Sequence, residues 1–225
     1  MVRYAHGLMA CVLVLAGCAT PTTPSRPPVV GPVDQPVAAS GWTATLQTVD
    51  GDRLIALTDT WNAALAIARK RYRTRVGDEG ALLDPAAALP AVALPPGPYH
   101  CRLVRIGGEA GYARFAPDFC YVEARDAGTS FDKQTGATRF EGWLLPDGDT
   151  RMGFTGSMRP GAARPAPGYG RDPKADVAAI VERVGPFRWR LILLRPARGG
   201  AVEIYELVPV TPSVPGATPA VPARG

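Results

Sequence analysis

Few side chains in this 225-residue chain have the types and spacing that covalent or metal chemistry needs. Cys18 directly follows Leu15-Ala16-Gly17 and a short apolar run, Leu8 to Leu15, near a start that carries Arg3. That is the pattern of a secretory signal cut after small residues. The run is too short to cross a bilayer as a helix, which takes about 20 apolar residues. Cys11 falls in the part removed, so Cys101 and Cys120 are the thiols left beside Cys18. In an oxidising compartment the default for such a pair is a disulfide. It would stabilise the chain by roughly 3 kcal/mol. The competing reading is a metal site from His100, Cys101 and Cys120, which lacks a fourth ligand and a recognisable spacing.

Other chemistries have little to work with. His100 is the single histidine after the signal. A Ser-His-Asp device would have to use it, and no Gly-x-Ser-x-Gly elbow supplies a nucleophile. There is no His-Glu-x-x-His helix, no phosphate loop and no dinucleotide fingerprint. Asp147 and Asp149 flank Gly148, where a turn explains them. Glu182, Glu203 and Glu206 lie in strand-like runs, where Glu182 and Glu206 can pair with Arg183 or Arg190 across strands. No apolar pocket is evident to raise a carboxyl pKa. No catalytic residue, metal or cofactor is expected, and the chain reads as a non-enzyme.

Binding residues are easier to nominate. Arg69, Lys70, Arg71 and Arg73 crowd together, with Arg75 close behind, in a chain whose other lysines are Lys133 and Lys174. The cluster suits an anionic lipid or lipopolysaccharide; the plainer reading is a solvated helix end matched to its dipole. Trp143 and Trp189, with Tyr205, could line a ligand cavity, or simply pack a core. The net charge of +5 is mild, comes mostly from arginine, and gives no reason to expect nucleic acid.

These residues need elements to hold them. Leu54, Leu57, Trp61, Leu65, Ala68 and Tyr72 recur at helical steps, predicting one helix over about 50–75. Thr48 or Asp50 can cap its start, and Gly77 ends it. Residues 78–98, with Asp84-Pro85 and Pro95-Pro96-Gly97-Pro98, read as an irregular crossing. Strand-like runs then follow over about 99–209: Tyr99 to Ile106, Phe119 to Arg125, Thr138 to Leu145, Thr150 to Ser157, Val177 to Val184, Phe187 to Leu194 and Val202 to Pro209. Phe131 is a candidate for an eighth. Gly107-Gly108, Pro146-Asp147-Gly148-Asp149 and Gly185-Pro186 punctuate them. The long connection 158–175 is either functional or without fixed structure.

The fold predicted is mainly β with one N-terminal helix: an antiparallel, seven- to eight-stranded barrel-like (calycin-like) or sandwich domain. The domains are a signal peptide at 1–17, a lipidated Cys and Pro-rich tether at 18–40, one globular domain at 41–209, and a disordered tail at 210–225. The tether could reach roughly 60 Å.

Leu15-Ala16-Gly17-Cys18 resembles the bacterial lipobox. The resemblance implies fatty acyl chains on Cys18, cleavage just before it, and a place in the cell envelope. Alanine rather than aspartate at position 19 implies the periplasmic face of the outer membrane. A second resemblance rests on motifs in order. They are Asp50 and Arg53-Leu54 through Trp61, Ala64-Leu65 and Ala68-Arg69; Leu82-Leu83-Asp84-Pro85; Pro96-Gly97-Pro98-Tyr99-His100-Cys101-Arg102; and Phe119-Cys120 with Gly136, Arg139 and Gly142. Glu182-Arg183-Val184, Arg188-Trp189-Arg190-Leu191 and Glu206-Leu207-Val208-Pro209 complete the series. Together they resemble an alphaproteobacterial family known as a domain of unknown function, number 4893. That likeness implies secretion and a single domain, with no assigned activity. The function expected is a non-catalytic binding or structural module for an envelope protein, glycan or anionic lipid. The alternatives are a carrier of an apolar ligand inside a barrel and a carboxylate-dependent hydrolase of envelope polymers.

Overall fold

The computed structural model describes residues 41–159, 165–195 and 200–211. The readings of residues 1–40 and 212–225 lie outside them. Nine strands carry the fold: β1 (Gly97–Gly107), β2 (Gly111–Arg114), β3 (Asp118–Arg125), β4 (Gly128–Lys133), β5 (Phe140–Pro146), β6 (Arg151–Met158), β7 (Asp176–Gly185), β8 (Arg188–Leu193) and β9 (Val202–Pro209). All pairings are antiparallel, and from β3 onward each strand lies beside the next. β1 pairs with β9 from Tyr99↔Pro209 to Ile106↔Val202, which closes an eight-stranded barrel. The sandwich alternative therefore falls. On its other edge β1 pairs first with β3 and then, past Cys101, with short β2.

Alternation assigns the inner residues. Tyr99, Cys101, Cys120, Val122, Phe131, Phe140, Leu144, Phe154, Trp189, Leu191, Tyr205 and Leu207 belong to one buried cluster inside the barrel. Phe131, Phe140 and Phe154 pack ring on ring with centroids 5.7–5.9 Å apart, and Tyr205 meets Phe140 at 5.7 Å. A barrel of this size can fill its interior with side chains, and the aromatic rings fill this one. Leu94, from the segment leading into β1, joins the same cluster. That segment is pinned over one barrel end. Val92 N–H donates to the Asp149 carbonyl, and Leu89 bridges to Arg183.

The outer face carries the second core. Two helices, α1 (Thr48–Ile55) and α2 (Leu57–Asp78), stand where the apolar spacing suggested one. Ala56 breaks the run without glycine or proline, so the spacing of apolar residues passes through it unmarked. Asp50 does not cap α1: its N-cap is Gln47, which makes no side-chain bond. Asp50 instead accepts hydrogen bonds from Arg53 and from the Tyr169 hydroxyl. Trp61, Ala64, Leu65 and Ala68 of α2 pack on Val104, Ile106, Ile192 and Ile204 of the barrel wall. Because helices cover this wall, β7 is buried on both faces from Asp176 to Val181, and it reads as a continuous apolar run rather than an alternating one.

Glycine is required where walls cross closely. Gly142 and Gly156 face each other across β5 and β6. A Cβ on Gly142 would lie 2.2 Å from the Thr155 carbonyl oxygen. Gly142→Ala should therefore cost at least about 3 kcal/mol in denaturant melts. Gly51→Ala meets nothing within 4 Å and lies in α1, so it should be neutral or stabilising by up to about 1 kcal/mol.

Candidate functional site

Cys101 and Cys120 form the disulfide expected of them, with α-carbons 5.9 Å apart. They are not directly opposed: Cys101 faces Asp118 and Cys120 faces Tyr99 in the register. The bridge runs diagonally inside the barrel. His100 alternates to the outer face and is exposed, so the metal reading of His100-Cys101-Cys120 has no common pocket. Among the described residues, no group of His, Cys, Asp and Glu is arranged to hold a metal ion.

The two tryptophans separate. Trp189 is inside the barrel, edge-on to Tyr99 at 6.2 Å, and donates its Nε1–H to the Val92 carbonyl at 2.9 Å. It fastens the barrel's end cover. Trp143 does not line the interior. Its neighbours Phe140 and Leu144 point inward, so Trp143 points out, between Ser130 and Thr155. Beside Phe140, the buried Lys133 ammonium holds Asp118 Oδ2 and the Thr135 carbonyl, each at 2.6 Å. Burial pushes the Tyr99 hydroxyl up to about 12.

The carboxylates singled out in the sequence are held in ion pairs and hydrogen bonds. Arg102 grips Glu79 with two nitrogens, at 2.9 and 2.6 Å, and Glu206 with its third at 2.6 Å. Arg188 also donates to Glu206, and Glu203 pairs with Arg105. Arg190 lies wholly buried on Glu182 and donates to the carbonyls of Ala81, Leu82, Asp84 and Pro85. Its guanidinium sits 4.7 Å from the Trp61 ring centroid. Arg183 takes neither Glu182 nor Glu206: it donates to the Pro90 carbonyl. Asp147 pairs with Arg151, and Asp149 accepts from Ala91 N–H, so both serve their turn and its neighbours. Asp132 and Glu141 are bridged by Arg159, near a hollow of about 570 Å³ between Met158 and Lys174. Burial outweighs the charge of Arg159 and raises the Asp132 carboxyl.

The predicted cations lie on the outer layer. Arg69, Lys70, Arg71 and Arg73 are exposed on α2. Arg69 and Arg73 line one hollow of about 830 Å³ with Val76, Gly77, Gly80 and Asp84; Lys70 and Arg71 lie outside it. Arg75 stacks over Tyr72 at 5.8 Å. Among the described residues none of the four has an ion pair or hydrogen bond. Arg53, Arg102, Arg105, Arg125, Arg151, Arg159, Arg188 and Arg190 form ion pairs, and Arg183 and Arg195 donate hydrogen bonds. The sequence reading missed the contact of the 165–175 connection with α1. Tyr169 donates its hydroxyl to Asp50 at 2.7 Å and accepts from Gln47 N–H at 2.9 Å. A tyrosine between glycines was its one signal.

The chain belongs to the DUF4893 family, a domain of unknown function, whose model matches residues 42–207. No curated protein matches the chain. Among solved structures a redesigned β-barrel is similar at 10% identity over 54% of this chain and 96% of that one. Its TM-score is 0.35, too low to indicate a shared fold.

Glu79 gives the network of Arg102 and Glu206 a pH signature. Burial opposes its charge, but hydrogen bonds from Arg102 and Tyr112 more than offset that and hold it below its ordinary 4.5. A carboxyl lowered on folding adds stability above its unfolded pKa and loses it as pH falls through the folded value. Glu79→Gln should therefore be clearly less stable than the parent at pH 7. That gap should narrow in melts as pH falls below about 4.5.

Proposed function

We propose that this protein is a lipid-anchored envelope module without catalytic activity. Acyl chains on Cys18 hold it at the periplasmic face of the outer membrane. Its β-barrel serves as a rigid frame for binding a partner protein, glycan or anionic lipid. The observation that carries this reading is the filled interior: three phenylalanines, two tyrosines, Trp189 and the disulfide occupy it. A ligand carrier of this size would need a cavity of several hundred Å³, and the packed rings stand where that cavity would be. The hydrolase reading is weaker for a related reason. Asp132 and Glu141 are tied together by Arg159 rather than held apart as a free acid and base.

Membrane residence is the part tested first. Cys18→Ser should move the protein from the membrane pellet to the soluble periplasmic fraction after a carbonate wash. Acyl chains contribute about 0.8 kcal/mol per buried methylene, and no described helix is long and apolar enough to cross a membrane in their place. A variant that stays in the washed pellet would overturn the anchor.

A further inference from the structure

We infer that the outward side of α2 is a docking surface for an anionic lipid bilayer, formed by Arg69, Lys70, Arg71 and Arg73 together with exposed Ile67. This deepens the proposed function and rests on its placing of the protein at a membrane. The buried residues Trp61, Ala64, Leu65 and Ala68 fix the inner side of the helix. At about 100° per residue, Ala66, Ile67 and Lys70 then turn outward, with Arg69 and Arg71 on the two flanks; Arg73, past a kink at Tyr72, is exposed as well. Ile67 is 44% exposed among these cations. An apolar side chain one turn from Lys70 and Arg71 suits the boundary between headgroups and acyl chains.

The helix dipole explains only part of the cluster. α2 kinks at Tyr72, so Arg69, Lys70 and Arg71 lie in the last turn before the kink, where the dipole favours cations. Arg73 lies just past the kink, where it does not. Nor is the cluster drawn to carboxylates of its own chain. The nearest acidic groups on these segments are Asp59 at the other end of the helix, Asp78, and Asp84. The last of these spends Oδ1 on Ala86 N–H. The charge of the four cations is left uncompensated within the described residues, where eight other arginines form ion pairs, and is available to an anionic surface. The hollow beside Arg69 and Arg73, floored by Gly77 and Gly80, has room for a headgroup phosphate. An anchor on Cys18 would raise the local concentration of lipid, so modest intrinsic affinity suffices.

The test uses the full mature chain carrying Cys18→Ser, so that no acyl chain contributes, and sedimentation with vesicles. Binding is expected to vesicles of equal parts phosphatidylglycerol and phosphatidylcholine, not to phosphatidylcholine alone, and should weaken as salt is raised. Each cation at such a surface contributes about fivefold in affinity, so Arg69→Gln/Arg73→Gln should bind roughly thirtyfold more weakly. Arg125→Gln/Arg151→Gln removes equal charge elsewhere and should change affinity by less than about threefold. Both Arg69 and Arg73 are exposed and unpaired, so the first variant should melt like its parent. No vesicle binding, or equal losses in the two variants, would overturn the proposal. Retention on an immobilised anionic polysaccharide without vesicle binding would do the same and point to a glycan. Fractionation of Cys18→Ser in cells reads the anchor alone, so failure of the anchor and failure of the docking face are distinguishable.

Discussion

The arrangement depends on one buried guanidinium. Arg190 leaves the barrel wall from β8, is wholly buried, and meets Glu182 on the neighbouring strand. It also takes carbonyls of the turn that follows α2. A helix end leaves its last carbonyls without partners, and here a side chain from another layer helps satisfy the turn that follows. Trp61 closes over the charge. Burying such a charge is costly, and removing its counter-charge would cost about 3–5 kcal/mol. The same belt continues through Glu79, Arg102, Glu206 and Arg188. It therefore fixes where α2 lies on the barrel, and with it the direction its outer cations point.

Inside and outside divide the work. The interior is closed by aromatic packing, by the diagonal disulfide, and by Leu94 from the segment bound to Trp189. A packed interior is stiff, and stiffness is what a frame requires. The outer wall is where the chain carries apolar surface to a second layer, and that layer presents the cations. Gly107 shows how close the two layers come: a Cβ there would lie 2.8 Å from that of Ala64.

Much of this was legible from residues alone. Seven strand runs, with Val202 to Pro209 the last, and the Cys101–Cys120 bridge follow from alternation, from glycine and proline punctuation, and from thiol count; closure into a barrel rather than a sandwich did not. β2 was not legible because Gly111-Tyr112-Ala113-Arg114 is short and begins at a glycine. β4 shows one large apolar residue, Phe131, among polar ones, because its other face is not in the core. Arg190 was legible as a cross-strand partner of Glu182, but its burial was not, because alternation sends it outward. Alternation cannot say that a helical layer waits there. Trp143 was misplaced for a complementary reason: its size suggested an interior that Phe140 and Leu144 had already taken. The cation cluster stood out in the sequence, but its lack of partners did not, since that depends on where every carboxylate ends up.

The most direct measurement is the depth of α2 at a membrane. A nitroxide label on Ile67→Cys in the unlipidated full mature chain should lose access to an aqueous relaxation agent when vesicles containing phosphatidylglycerol are added. The helices cover the other side of the barrel, so a label on Glu123→Cys, exposed on β3, should keep it. Equal accessibility at both positions with and without vesicles would contradict a barrel that holds α2 against the bilayer. Protection at position 123 alone would show that the opposite face is the one that docks.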